Sequence, residues 1–82
     1  MGRKRYSPEE RMAMLEDGMK ITKFLNSIPY GRYNHIRREL WVRSETTANI
    51  LAHYIAGRTP IPDEVKKAMN QVAEEYTGTN IF

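Results

Sequence analysis

Four prolines and five glycines decide where this 82-residue chain can be helical. Proline lacks the backbone N–H and clashes with the preceding turn, so it stands in a helix's first turn or outside the helix. Ser7-Pro8-Glu9-Glu10 has the form of a helix start: a serine cap, proline at the first position, and a glutamate three residues on that closes a capping box. Met12, Leu15, Met19, Ile21, Phe24, Leu25 and Ile28 then recur at spacings near three and four, which predicts a buried helical face. Gly18 in its middle has two readings: close packing against another helix, or a division into two helices. Pro29 ends the segment.

Tyr30-Gly31 reads as a break, followed by a helix over residues 32–40 in which Tyr33, Ile36 and Leu40 share one face. Residues 41–43 read as a tight turn. Ser44 then caps a helix with Ala48, Leu51, Tyr54 and Ile55 turned inward and Gly57 as its left-handed stop. Residues 58–62 form an extended connector, because the residue before each proline is pushed out of the helical region. A last helix from about Pro62 carries Val65, Met69, Val72 and Tyr76 at helical spacing, and Gly78 stops it. No apolar run alternates with period two, so no strand is predicted. The expected fold is all-α, a compact bundle of four to five helices. Residues 1–6 are a basic arm (Arg3, Lys4, Arg5), residues 7–77 one helical domain, and residues 78–82 a tail in which Ile81 and Phe82 are too apolar to be indifferent to their surroundings.

The net charge of +3 is unevenly distributed. Residues 1–43 hold ten Lys/Arg against five acids, a balance of +5, and residues 44–82 carry −2. Such asymmetry is the footprint of one anion-facing surface. The chain has no cysteine, hence no thiolate metal site or disulfide framework, which suits a cytoplasmic location. No apolar run is long enough to span a bilayer. Catalysis has little to stand on. His35 and His53 lack carboxylates at ligand-like spacing, Glu9/Glu10 and Glu74/Glu75 sit near helix ends, and the glycines form no phosphate-cradling loop. Neither a cofactor, a metal nor a small-molecule ligand is expected.

Within residues 33–52, Ile36, Leu40, Val42, Thr47 and Ile50 fall where two helices crossing at a tight turn need buried side chains. This pattern resembles the lambda repressor/Cro-like helix-turn-helix family, and the stretch Gly57-Arg58-Thr59-Pro60-Ile61-Pro62 resembles the connector that follows the recognition helix in small phage and bacterial regulators. Two positions differ from the family: Arg37 stands where the helices cross, and Trp41 where the turn usually has glycine. The resemblance implies double-stranded DNA as partner and a role as a small transcriptional regulator, a repressor rather than an activator. It implies base contacts from Arg43, Ser44, Glu45, Asn49 and His53, and phosphate contacts from Arg32, Tyr33, Arg37, Arg38 and Arg58. A second register pairs residues 22–28 with residues 32–40 across a turn at 29–31 and brings Asn34 forward as a base contact. A homodimer through the C-terminal helix and tail, using Ile81 and Phe82, would match two half-sites. The competing reading is a small protein-binding module that inhibits or redirects a host protein such as RNA polymerase or a nuclease.

Overall fold

The computed structural model describes residues 5–82, and among these it is all-helical: α1 (Pro8–Asn26), α2 (Tyr30–Arg43), α3 (Ala48–Ile55) and α4 (Asp63–Thr77). The capping box forms as the sequence predicts: Ser7 Oγ accepts from Glu10 N at 3.1 Å, and Glu10 Oε1 accepts from Ser7 N at 3.0 Å. Ser27 closes α1 by donating its hydroxyl to Phe24 O at 2.6 Å. Pro29 then caps α2, whose second residue is Gly31. The expected break at Tyr30-Gly31 is therefore the first turn of a helix, and the chain turns at residues 27–29.

α1 is one helix, and Gly18 explains how it packs. A Cβ at Gly18 would lie 2.5 Å from Ile55 O and 2.8 Å from Tyr54 O, so only glycine lets α1 approach the end of α3 this closely. This contact also fixes which side of α1 is inward. One and two turns from Gly18 lie Met14, Ile21 and Leu25, and these are buried. The row Met12, Leu15, Met19, expected in the buried face, is turned out instead. Its residues are 63%, 52% and 70% exposed.

α2 runs through Trp41, Val42 and Arg43, which contain neither glycine nor proline to stop it. The turn comes later, at residues 44–47. Ser44 Oγ donates back to Leu40 O at 2.6 Å, and Glu45 takes the left-handed conformation at φ 57°. Glu45 N donates to Val42 O at 3.1 Å and Thr46 N to Trp41 O at 2.9 Å, the two reverse bonds of a Schellman stop. Thr47, not Ser44, caps α3, accepting from Ile50 N at 3.1 Å. This delay corrects the predicted burial. Ile36 and Leu40 are buried, but Val42, Thr47 and Ile50, which the helix-turn-helix pattern needs inside, are exposed, while Leu51 and Tyr54 face inward as their spacing predicts. The alternative pairing across residues 29–31 is not the close one either. α1 packs against α3, and α2 packs against α4 and α3.

The connector brings Ile61 into the same buried core as Leu51, Met69 and Val72. Pro62 precedes α4, and Gly78 ends it at φ 73°. The tail folds back on α4. Asn70 Oδ1 accepts from Ile81 N and Phe82 N, each at 2.9 Å, and Ile81 is buried. Lys66 Nζ lies 5.4 Å from the centre of the Phe82 ring and 3.0 Å from Asp17 Oδ2, which ties the tail, α4 and α1 together. No helix among the described residues is long and apolar enough to cross a membrane.

Candidate functional site

α3 is short, and its two sides contrast. Leu51 and Tyr54 are buried, and desolvation pushes the Tyr54 phenol above its ordinary pKa. The opposite side presents Asn49, Ala52, His53 and Ala56. Asn49 and the two alanines are exposed, and His53 is half-buried. No acid lies in the helix. The result is a slim ridge on which only Asn49 and His53, one turn apart, extend beyond a methyl group.

α2 has three functional sides. Ile36 and Leu40 face the core. His35, Glu39 and Arg43, each four residues from the next, face α4. Arg43 donates through Nη1 to Glu75 Oε2 and through Nη2 to Glu75 Oε1 at 3.1 Å, with Glu39 Oε1 3.4 Å from Nη2. The Glu75 hydrogen bond raises the Arg43 pKa, and the same bond lowers that of Glu75. Tyr76 donates its hydroxyl to Glu39 Oε1 at 3.2 Å, and His35 Nε2 lies 3.0 Å from that phenolic oxygen. Partial desolvation, then the Glu39 carboxylate, raise the Tyr76 pKa. The third side, turned away from the core, carries Asn34 and Arg38, both exposed.

This geometry divides the residues expected to read bases. Arg43 sits on α2 in a bidentate pair with Glu75. Ser44 is half-buried, its hydroxyl engaged by Leu40 O. Glu45 is exposed in the turn. Of the five, only Asn49 and His53 lie on the outward side of α3. Among the expected phosphate contacts, Arg32, Arg38 and Arg58 are exposed, Arg37 is half-buried, and Tyr33 is half-buried against the core. None of these four guanidiniums forms an ion pair among the described residues. Arg5 is exposed, whereas Arg3 and Lys4 lie outside the described residues.

One contributor has no local sequence signal. Arg11 joins Arg58 and Tyr6 around a cleft of about 410 Å³ floored by Met14, Leu15 and Gly57. The two arginines are far apart in the chain and line one cleft because Leu15 lies over Gly57. The tail residues have a different fate from the one expected. Ile81 is part of the monomer's core and Phe82 is half-buried against it, so neither is a free apolar contact. No protein-family model matches the chain, and no curated protein or solved structure matches it.

Proposed function

We propose that the chain is a small sequence-specific double-stranded DNA-binding regulator, with α2 and α3 as a helix-turn-helix and α3 as the element that enters the major groove. The observation that carries this reading is the outward side of α3, slim and free of acids, in a chain whose Arg32, Arg37, Arg38 and Arg58 have no carboxylate partner among the described residues. A groove about 12 Å wide accepts a helix when the facing side chains are small, as Ala52 and Ala56 are. Asn49 then pairs with adenine N6/N7, and His53 donates or accepts one turn further along. Arg32, Arg37, Arg38 and Arg58 hold phosphates and set orientation rather than sequence. Arg43 is withdrawn from this set by Glu75, and Asn34, on the outward side of α2, is a secondary base contact. Repression follows from occupying an operator and requires no chemistry.

The test is affinity for random duplex at two salt concentrations, followed by selection of bound sequences from a random pool. DNA binding gives steep salt dependence and a recovered consensus. Arg38→Ala weakens specific and random binding alike and lowers the salt slope by about 1. Asn49→Ala weakens the selected site alone, by about 1–3 kcal/mol. No binding at low salt overturns the reading. It would favour instead a protein-binding module, which would use the apolar ridge of α1.

A further inference from the structure

Three of the six large apolar side chains that the described residues expose lie on one ridge of α1: Met12, Leu15 and Met19. Beside them Met19, Thr22, Lys23 and Asn26 line a shallow groove of about 340 Å³. These four stand at i, i+3, i+4 and i+7, the spacing of the four-residue hole that receives one side chain from a facing helix. Met12, Leu15, Glu16 and Met19 repeat the same spacing one heptad earlier. The helix thus carries two holes and two methionines to fill holes, and among the described residues no other element covers Met12 or Met19, which are 63% and 70% exposed.

We propose that this ridge is a self-association surface, on which α1 of a second copy lies antiparallel. Direction follows from charge. Along the outer edge of the ridge Glu9 and Glu16 precede Lys20 and Lys23, so antiparallel pairing sets acids of one copy against lysines of the other. Parallel pairing sets like on like. Register follows from the holes. Met12 of one copy enters the hole of Met19, Thr22, Lys23 and Asn26. The same two-fold relation then places Met19 in the hole of Met12, Leu15, Glu16 and Met19, so one register fills both. Arg11 points to the other flank, into the cleft with Arg58, and stays clear of the seam. Three side chains per copy make a small interface, below the roughly 800 Å² per partner of a standard one, so the dimer is concentration-dependent. The inference does not depend on the DNA-binding reading, because it rests on a different helix.

The experiment uses the full chain, which contains no cysteine of its own. Sedimentation equilibrium up to millimolar protein should show mass rising from 9.6 kDa toward twice that value. Met19→Glu, at a side chain already largely exposed, should keep the circular dichroism of the parent and weaken association by about tenfold or more, since it would set a carboxylate into a hole that the partner's Glu16 already lines. Under mild oxidation, Met12→Cys mixed with Thr22→Cys should give the mixed disulfide. Met12→Cys alone should not crosslink, its two copies being about 15 Å apart along the seam at 1.5 Å per residue. A monomeric mass throughout would overturn the proposal and leave the ridge to a different protein. Association unchanged by Met19→Glu would overturn it too, and a Met12→Cys self-crosslink would overturn the antiparallel register.

Discussion

The two ends of α3 are held in opposite ways. At its C-terminal end two glycines allow close packing. α1 comes within carbonyl distance at Gly18, and Leu15 lies over Gly57, which turns the chain at φ 71°. At its N-terminal end the same kind of reverse-bonded stop is built on Glu45, an exposed residue in the open at φ 57°. Hydroxyls do the remaining work there: Ser44 Oγ lies 3.1 Å from Thr46 Oγ1, and Thr47 caps the helix. The comparison teaches that left-handed geometry alone does not demand glycine. Glycine is demanded where a neighbouring element also occupies the space of its Cβ. One end of α3 is fixed by packing, the other by hydrogen bonds, and Asn49 stands at the second.

The largest effects should come from the packed end. Gly18→Ala places a methyl against two backbone carbonyls that cannot rotate away, so α1 and α3 must separate. We expect a loss of about 3 kcal/mol or more, enough in a domain this small to populate the unfolded state at ambient temperature. Gly57→Ala combines a left-handed cost of about 1 kcal/mol with contact against Leu15, and should lose about 2 kcal/mol. Its Cβ would lie 2.7 Å from Leu15 Cδ2, the far end of a half-exposed chain that can move, and 3.1 Å from Leu15 Cα, which must give only a few tenths of an ångström. Urea titrations followed by circular dichroism measure both. A Gly57→Ala loss as large as that of Gly18→Ala would show that Leu15 is as immovable as a carbonyl.

Much of this contrast was legible in the sequence, and the missing part has a physical reason. Gly57 and Gly78 announce their turns, because glycine is the residue that tolerates positive φ. The capping box of α1 is equally local. The stop after α2 is not, because glutamate carries no turn signal, and the prediction moved the turn forward to residues 41–43. That shift put Val42, Thr47 and Ile50 inside, where the helix-turn-helix pattern needs them, although all three are exposed, and it placed Arg43 in the turn rather than at the end of α2. Arg43 in turn pairs with Glu75, thirty-two residues away, which no local pattern indicates. On α1 both Met12–Leu15–Met19 and Met14–Ile21–Leu25 have helical spacing. Only the close approach at Gly18, a tertiary fact, chooses between them. Asn49 and His53 were legible because their helix and its outward side follow from local spacing.

The hydrogen-bonded end should yield smaller changes, and the first tests the cap. Thr47→Ala removes the oxygen that accepts from Ile50 N and should cost about 1 kcal/mol, while Thr47→Ser restores most of it. Amide hydrogen exchange at Ile50 should rise more than exchange at Tyr54, because only the N-terminal turn of α3 loses a partner. Equal acceleration at both ends would mean that α3 opens as one unit and that its ends are not separately held.

The smallest expected change has the opposite sign. Glu45→Gly removes the clash that any Cβ suffers in the left-handed region, roughly 1–2 kcal/mol. Against this, glycine gives the unfolded chain more freedom, which offsets part of the gain. The net should be a stabilisation of about 0.5–1 kcal/mol, seen as a higher urea midpoint with an unchanged slope. Glu45→Ala separates the two contributions. It keeps the Cβ and the strain but removes the carboxylate, so its stability should stay near that of the parent. If Ala gains as much as Gly, the strain is negligible and the penalty at Glu45 is electrostatic. In that case the open end of α3 would differ from the packed end in charge rather than in backbone geometry, and the contrast between Glu45 and Gly57 would need a different basis.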